Sequence, residues 1–177
     1  VSFEHRHLAA IEYEVTVVNA EAPVVISSKL VYDPESDPVS EEDPRVARGF
    51  AGRVLLPRHG FVKGHRIALG HQACRSGMTL GCAVDHVIET ECLHSCEVSR
   101  SEDEGKLVLT VQAKPGEPIR LVKYMGYHTS RRAGAVELCE RSERTLDRAV
   151  GDGFAALLES QRRHLDDFWE RADVQIE

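Results

Sequence analysis

The sequence predicts a mainly β fold: an antiparallel β-sandwich over residues 1–130, followed by two amphipathic α-helices over 131–177. Three observations carry this. Apolar residues alternate along the first segments, Gly and Pro punctuation recurs at short spacing through the middle, and the apolar period changes from two to three-and-four after Ser130.

The elements follow in order. In HLAAIEYEVTVVN, Ile11, Tyr13, Val15 and Val17 occupy alternate positions, the period of a strand with one buried face. The β-branched run Val24 to Tyr32 reads as a second strand, paired antiparallel with the first across the turn at Ala20 to Pro23. Residues 33–44 (DPESDPVSEEDP) hold six carboxylates and three prolines, a mixture that cannot bury area and predicts an exposed acidic loop. Further strands are predicted over Gly52 to Leu56, Arg66 to Ala73, Met78 to Thr90, Cys92 to Ser99, Lys106 to Ala113 and Ile119 to His128. The breaks between them fall at Arg58-His59-Gly60, Ser76-Gly77, Glu104-Gly105 and Pro115-Gly116. Positions 135, 138, 139, 142, 146, 149 and 150 then make one helical stripe. Gly151 is expected to end that helix and Asp152 to cap a second, whose stripe is Phe154, Leu157, Leu158, Gln161, Leu165, Phe168, Trp169 and Ala172. Such a stripe needs cover, supplied by the sandwich or by a further domain.

Composition narrows the function. With 22 basic and 29 acidic residues the net charge is -7, which offers a phosphate backbone no long-range attraction, so nucleic acid is not expected as a partner. No apolar run approaches the ~20 residues that span a bilayer as a helix, and VSFEHRHLAA has no signal-peptide pattern. Five cysteines (74, 82, 92, 96 and 139) are an odd number, which points to reduced thiols and a cytoplasmic setting.

Few constellations offer chemistry. Cys92, His94 and Cys96 alternate on a predicted strand, but an extended backbone separates positions 92 and 96 by about 13 Å, too far for one tetrahedral ion or a disulfide. Among nine histidines, His5, His7, His59, His65, His71, His86 and His128 can in principle supply acid–base groups, but their spacing forms no motif. Glu89 and Glu91 share a strand face, whereas glycoside cleavage needs carboxyls facing each other across a bond. Neither a G-x-S-x-G elbow nor a glycine-rich phosphate cradle occurs. No catalytic, cofactor-binding or metal-ligating residue is assigned.

Three segments in order, HLAAIEYEVTVVNAEAPVVISSKL (His7 to Leu30), KYMGYHTSR (Lys123 to Arg131) and GFAALLESQRRHLDDFWERADVQIE (Gly153 to Glu177), resemble the N-terminal sandwich and linker helices of family 65 glycoside hydrolases and phosphorylases. The resemblance implies a supersandwich of the galactose-mutarotase-like kind in a parent enzyme acting on α-glucosidic disaccharides such as maltose, trehalose or kojibiose. In phosphorylases of that family a glutamate protonates the departing oxygen while inorganic phosphate, as co-substrate, inverts the anomeric carbon; hydrolytic relatives use water. The acid and the phosphate pocket lie in an α/α barrel after the linker, beyond residues 1–177. That barrel is the expected partner of the Phe154, Leu158, Leu165, Phe168 and Trp169 face, with a homodimer as a further contact and the α-glucoside as the parent's substrate. Two departures matter. Leu165 stands where many members carry a second tryptophan, and the family's sandwich begins further upstream, which predicts an incomplete sheet here. Two alternatives are an autonomous carbohydrate-binding module, for which aromatics at 6 % are few, and a mutarotase-like sandwich using histidine and carboxylate.

Overall fold

The computed structural model describes residues 1–33 and 53–172; the acidic segment lies almost wholly outside the described residues, as does the start of the strand expected at Gly52. Eight strands form two antiparallel sheets: β1 (Leu8–Thr16), β2 (Ala22–Val31), β3 (Leu55–Lys63), β4 (Arg66–Ala73), β5 (Thr79–Glu89), β6 (His94–Arg100), β7 (Glu104–Ala113) and β8 (Pro118–Ser130). One sheet has five strands in the order β1-β8-β5-β4-β3, the other three in the order β2-β7-β6. A helix, α1 (Ala135–Ala172), follows.

The first two strands do not pair with each other. β1 lies along β8, from Leu8 opposite Gly126 to Thr16 opposite Pro118, and β2 lies along β7, with Val24 opposite Val111 and Ile26 opposite Leu109. The local hairpin expected from their proximity is replaced by a crossing between sheets. The crossing places Val24 and Ile26 against Leu107, Leu109, Val111 and Ile119, burial that a flat two-stranded unit cannot supply. Two expected breaks also fall inside strands. Glu104-Gly105 opens β7, and the chain at Arg58 to Gly60 stays in edge strand β3 through a register shift between Pro57 and His59, where a proline and a bulge are tolerated.

Three layers result, with the five-stranded sheet in the middle. Its outer face carries α1, which contacts β1, β3, β4, β5 and β8; its inner face meets the three-stranded sheet. Double coverage explains why β4 is buried continuously from Ile67 to His71, while β7, covered on one face, alternates from Gly105 to Ala113. One core cluster lies between helix and sheet (Ala68, Ala83, Val122, Tyr124, Cys139, Leu146), the other between the sheets. Polar bridges cross the sheet interface: His86 Nε2 sits 2.8 Å from Ser28 Oγ, and Lys123 Nζ donates to the Lys29 carbonyl at 2.7 Å.

The helix comes close because small residues face it. A Cβ added at Gly81 would lie 2.5 Å from the Leu138 carbonyl carbon, one at Gly70 3.0 Å from Ala135 Cβ, and one at Gly126 3.1 Å from the Ser142 oxygen. Ser142, fully buried, donates its hydroxyl to the Gly81 carbonyl at 3.0 Å. Arg66 fastens one flank, reaching Asp85 at 2.8 Å, Asp147 at 2.7 Å and Glu143 at 3.5 Å.

Candidate docking surface

The helix is a continuous run interrupted at Gly153 (φ 79, ψ 161), two residues after the expected break at Gly151. Only glycine takes that backbone conformation without strain, and it re-aims the second half of the helix. Before the break Leu138, Cys139, Leu146 and Ala149 are buried on the sheet. After it Phe154 and Leu157 still join the cluster containing Leu8, Ala10 and Tyr124.

The next turn is held by the N-terminal residues. The Phe3 amide donates to Gln161 Oε1 at 2.9 Å, the Phe3 ring lies 5.4 Å from that of His164, and Ser160 donates its hydroxyl to Glu4. That hydrogen bond holds the Glu4 carboxyl below the usual carboxylate range. Val1, Ser2, Leu8 and the helix enclose a hollow of about 90 Å³ lined by Phe154, Leu157, Leu158 and Gln161. Cover stops there. Leu165 is half-buried, whereas Phe168 and Trp169 are 49 % and 59 % exposed and pack edge to face at 5.1 Å. The sandwich and the N-terminal residues therefore cover Phe154, Leu157 and Gln161 of the predicted stripe and leave Leu158, Phe168 and Trp169 about half exposed. Leu165 supplies no aromatic partner to Trp169; Phe168 does.

A second uncovered apolar region lies between the sheets. The three-stranded sheet does not reach over β1, so Ile11 and Tyr13 stay 53 % and 52 % exposed and, with Val25, Ile26 and Leu121, line a groove of about 460 Å³. Burial pushes the Lys123 ammonium beside this groove below its usual range.

The other constellations do not converge on a catalytic arrangement. Cys92 precedes β6 and is buried in the inter-sheet core, while His94 is exposed with its Nδ1 3.1 Å from the Cys92 carbonyl. Glu89 pairs with Arg120 at 2.6 Å, and Glu91 lies past the end of β5. His71, buried, meets Asp103 at 3.2 Å beside Tyr32. His86 is buried against Ser28, which pushes its ring pKa down. His5, His7 and His128 do come together, at a cleft beside α1 that spacing alone did not foreshadow.

Comparison with known proteins adds the following. Residues 1–168 match the family model described as "Glycosyl hydrolase family 65, N-terminal domain". An uncharacterised glycosyl hydrolase of Mycobacterium tuberculosis (strain H37Rv) is 29 % identical over 177 residues, which is 100 % of this chain and 22 % of that protein. The α,α-trehalose phosphorylase of Thermoanaerobacter brockii is 28 % identical over 178 residues, covering 100 % of this chain and 23 % of the relative. The chain thus spans less than a quarter of the length of these relatives. A solved structure of a proposed kojibiose phosphorylase from the human microbiome superposes with a TM-score of 0.74 at 10 % identity, over 95 % of this chain and 20 % of that one, a likeness of fold.

Proposed function

Since the chain belongs to glycosyl hydrolase family 65, as that family's N-terminal domain, we propose that it serves a longer enzyme as a non-catalytic scaffold. In this reading the scaffold packs against an α/α barrel that carries the chemistry. The parent acts on an α-glucosidic disaccharide, by inverting phosphorolysis with inorganic phosphate or by hydrolysis, and the reaction proceeds without a resident cofactor. A glutamate of the barrel protonates the departing oxygen. The cytoplasm is the proposed location, in keeping with five free thiols.

The observation that carries this reading is the uneven cover of α1. Phe154, Leu157 and Gln161 have partners within the sandwich or its N-terminal residues, while Leu158, Phe168 and Trp169 stay about half exposed, the last two as an aromatic pair past that cover. Aromatic residues of this kind, clustered and half-wet, are the usual anchors of a protein interface. The open groove at Ile11, Tyr13 and Val25 gives a second apolar face for an additional strand or domain of the parent. The His71–Asp103 pair and the His86–Ser28 contact tie the two sheets together, which supports a structural role for these histidines.

The test is enzymatic. The isolated chain and its full-length parent are incubated with maltose, trehalose and kojibiose, each with and without phosphate. The parent is expected to release glucose or glucose 1-phosphate from one of them and the isolated chain from none. A parent inactive on every α-glucoside would overturn the substrate class.

A further inference from the structure

In a chain of net charge -7, one cleft gathers positive charge. It lies where the end of β8, residues 5–7 and the first half of α1 meet, has a volume of about 160 Å³, and is lined by His5, Arg6, His7, His128, Thr145 and Arg148. Asp152 lines it as well, the one carboxylate among the lining residues. A shallower hollow shares His128, Thr145 and Arg148 and continues onto Arg141 and Arg144, with Asp147 at its far edge. Positions 141, 144 and 148 fall on one side of the helix, so three guanidinium groups line up along it.

Of Arg6, Arg141, Arg144 and Arg148, only Arg141 has an ion-pair partner among the described residues. Arg141 pairs with Glu137, and Asp147 is drawn to Arg66 on the opposite flank at 2.7 Å. Among the described residues no carboxylate lies within ion-pair distance of Arg6, Arg144 or Arg148. His7 and His128 stack face to face at 4.2 Å, and His128 Nε2 lies 2.9 Å from Thr145 Oγ1. The His128 ring is pushed down to about 4, first by burial and then by the charges of His7, Arg141, Arg144 and Arg148. Crowding these basic side chains at a concave surface adds a repulsive cost to that of burial. An anion there would reverse that cost, accepting hydrogen bonds from guanidinium and imidazole donors at once.

From this geometry we infer that the cleft between His7, His128 and Arg148 is a binding site for a dianionic phosphoryl group. The lining suits a phosphate, since Arg148 of the helix and His5, Arg6 and His7 of the N-terminal segment line the same cleft, and Arg144 lines the hollow beside it. Inorganic phosphate and the phosphate of a sugar ester share this chemistry.

The experiment titrates the 177-residue chain with inorganic phosphate and, separately, with glucose 1-phosphate, at constant ionic strength, following heat and the histidine ring proton resonances. Saturable binding by either is expected, with the His128 resonance moving toward its protonated position at pH values where the free protein holds it neutral. Arg148→Ala should weaken binding about tenfold or more, as loss of a charge-assisted contact does. Arg162→Ala, an exposed arginine beside Glu159 beyond the Gly153 break, should leave it unchanged. Both arginines are exposed, so folding is not at stake. Failure of both ligands to saturate, or equal binding by wild type and Arg148→Ala, overturns the inference.

Discussion

Replacing Gly81 by alanine tests the seat of the helix. The new Cβ would stand 2.5 Å from the Leu138 carbonyl carbon and 2.7 Å from the Cys139 amide nitrogen. These are backbone atoms, and they cannot swing away as a side-chain tip can. Carbon contacts settle near 3.5 Å or beyond, so α1 must lift by about 1 Å. Leu138, Cys139, Ser142 and Leu146, all fully buried, would lose part of their dispersion contact, and the Ser142 hydrogen bond to the Gly81 carbonyl would stretch. Overpacking of this kind costs about 1–3 kcal/mol, and the weakened hydrogen bond adds up to about 1 kcal/mol. Removing a glycine from a strand offsets about 0.5–1 kcal/mol through the unfolded chain. The net loss centres on about 2 kcal/mol, within a span of about 0–3.5 kcal/mol, a sizeable part of a domain's stability. Urea unfolding followed by circular dichroism measures it. Gly134→Ala is the control, because its Cβ would meet nothing within 4 Å and should be neutral within about 0.5 kcal/mol. If the two variants unfold at the same urea concentration, the close approach of α1 to the sheet is wrong, and with it the placement of everything the helix carries.

Two further outcomes follow from the buried titratable groups. His128 is held to about 4 in the fold against 6.5 ordinarily, so between those values the unfolded chain binds a proton that the folded chain refuses; stability falls as the pH drops from about 6.5 toward 4, His86 acts in the same direction, and His128→Gln should flatten the decline measured by urea midpoints across that window. Burial pushes the Cys82 and Cys139 thiols up to about 11, raises that of part-buried Cys96 and encloses Cys92, so iodoacetamide at mildly alkaline pH should modify exposed Cys74 first, Cys96 more slowly, and Cys82, Cys92 and Cys139 only on unfolding, as read by peptide mass spectrometry; early labelling of Cys139 would contradict the helix–sheet packing.

Much of the fold was legible in the order of residues, because strand and helix periods are local. Ile11, Tyr13 and Val15 do lie in strand β1, although the face expected to be buried is left uncovered at Ile11 and Tyr13, and positions 138, 139, 142, 146 and 149 are buried as one stripe. Pairing was not legible. β1 finds β8 more than a hundred positions away, and nothing in VVISSKLVY names β7 as its neighbour. The glycine seat had a signal that went unread: Gly70, Gly81 and Gly126 sit in strands, where a missing side chain marks close approach, and small Ala135, Cys139 and Ser142 answer them on the helix. The helix break fell at Gly153 because its positive φ, and not the mere presence of a glycine at 151, ends the regular turn. The cationic cleft was invisible for the same reason as the pairing, since His7, His128 and Arg148 come from three distant segments.

Trp169 is the sole tryptophan of the chain, so its fluorescence reports the uncovered end of α1 without labelling. A direct measurement follows its emission in the isolated chain while the separately produced remainder of the parent, with its own tryptophans replaced by phenylalanine, is added. The scaffold account predicts a water-exposed emission that shifts to the blue and saturates, with Phe168→Ala weakening the association about thirtyfold, the loss expected of an interface anchor. An emission that starts blue in the dilute chain, or one that never responds to the added remainder, contradicts it.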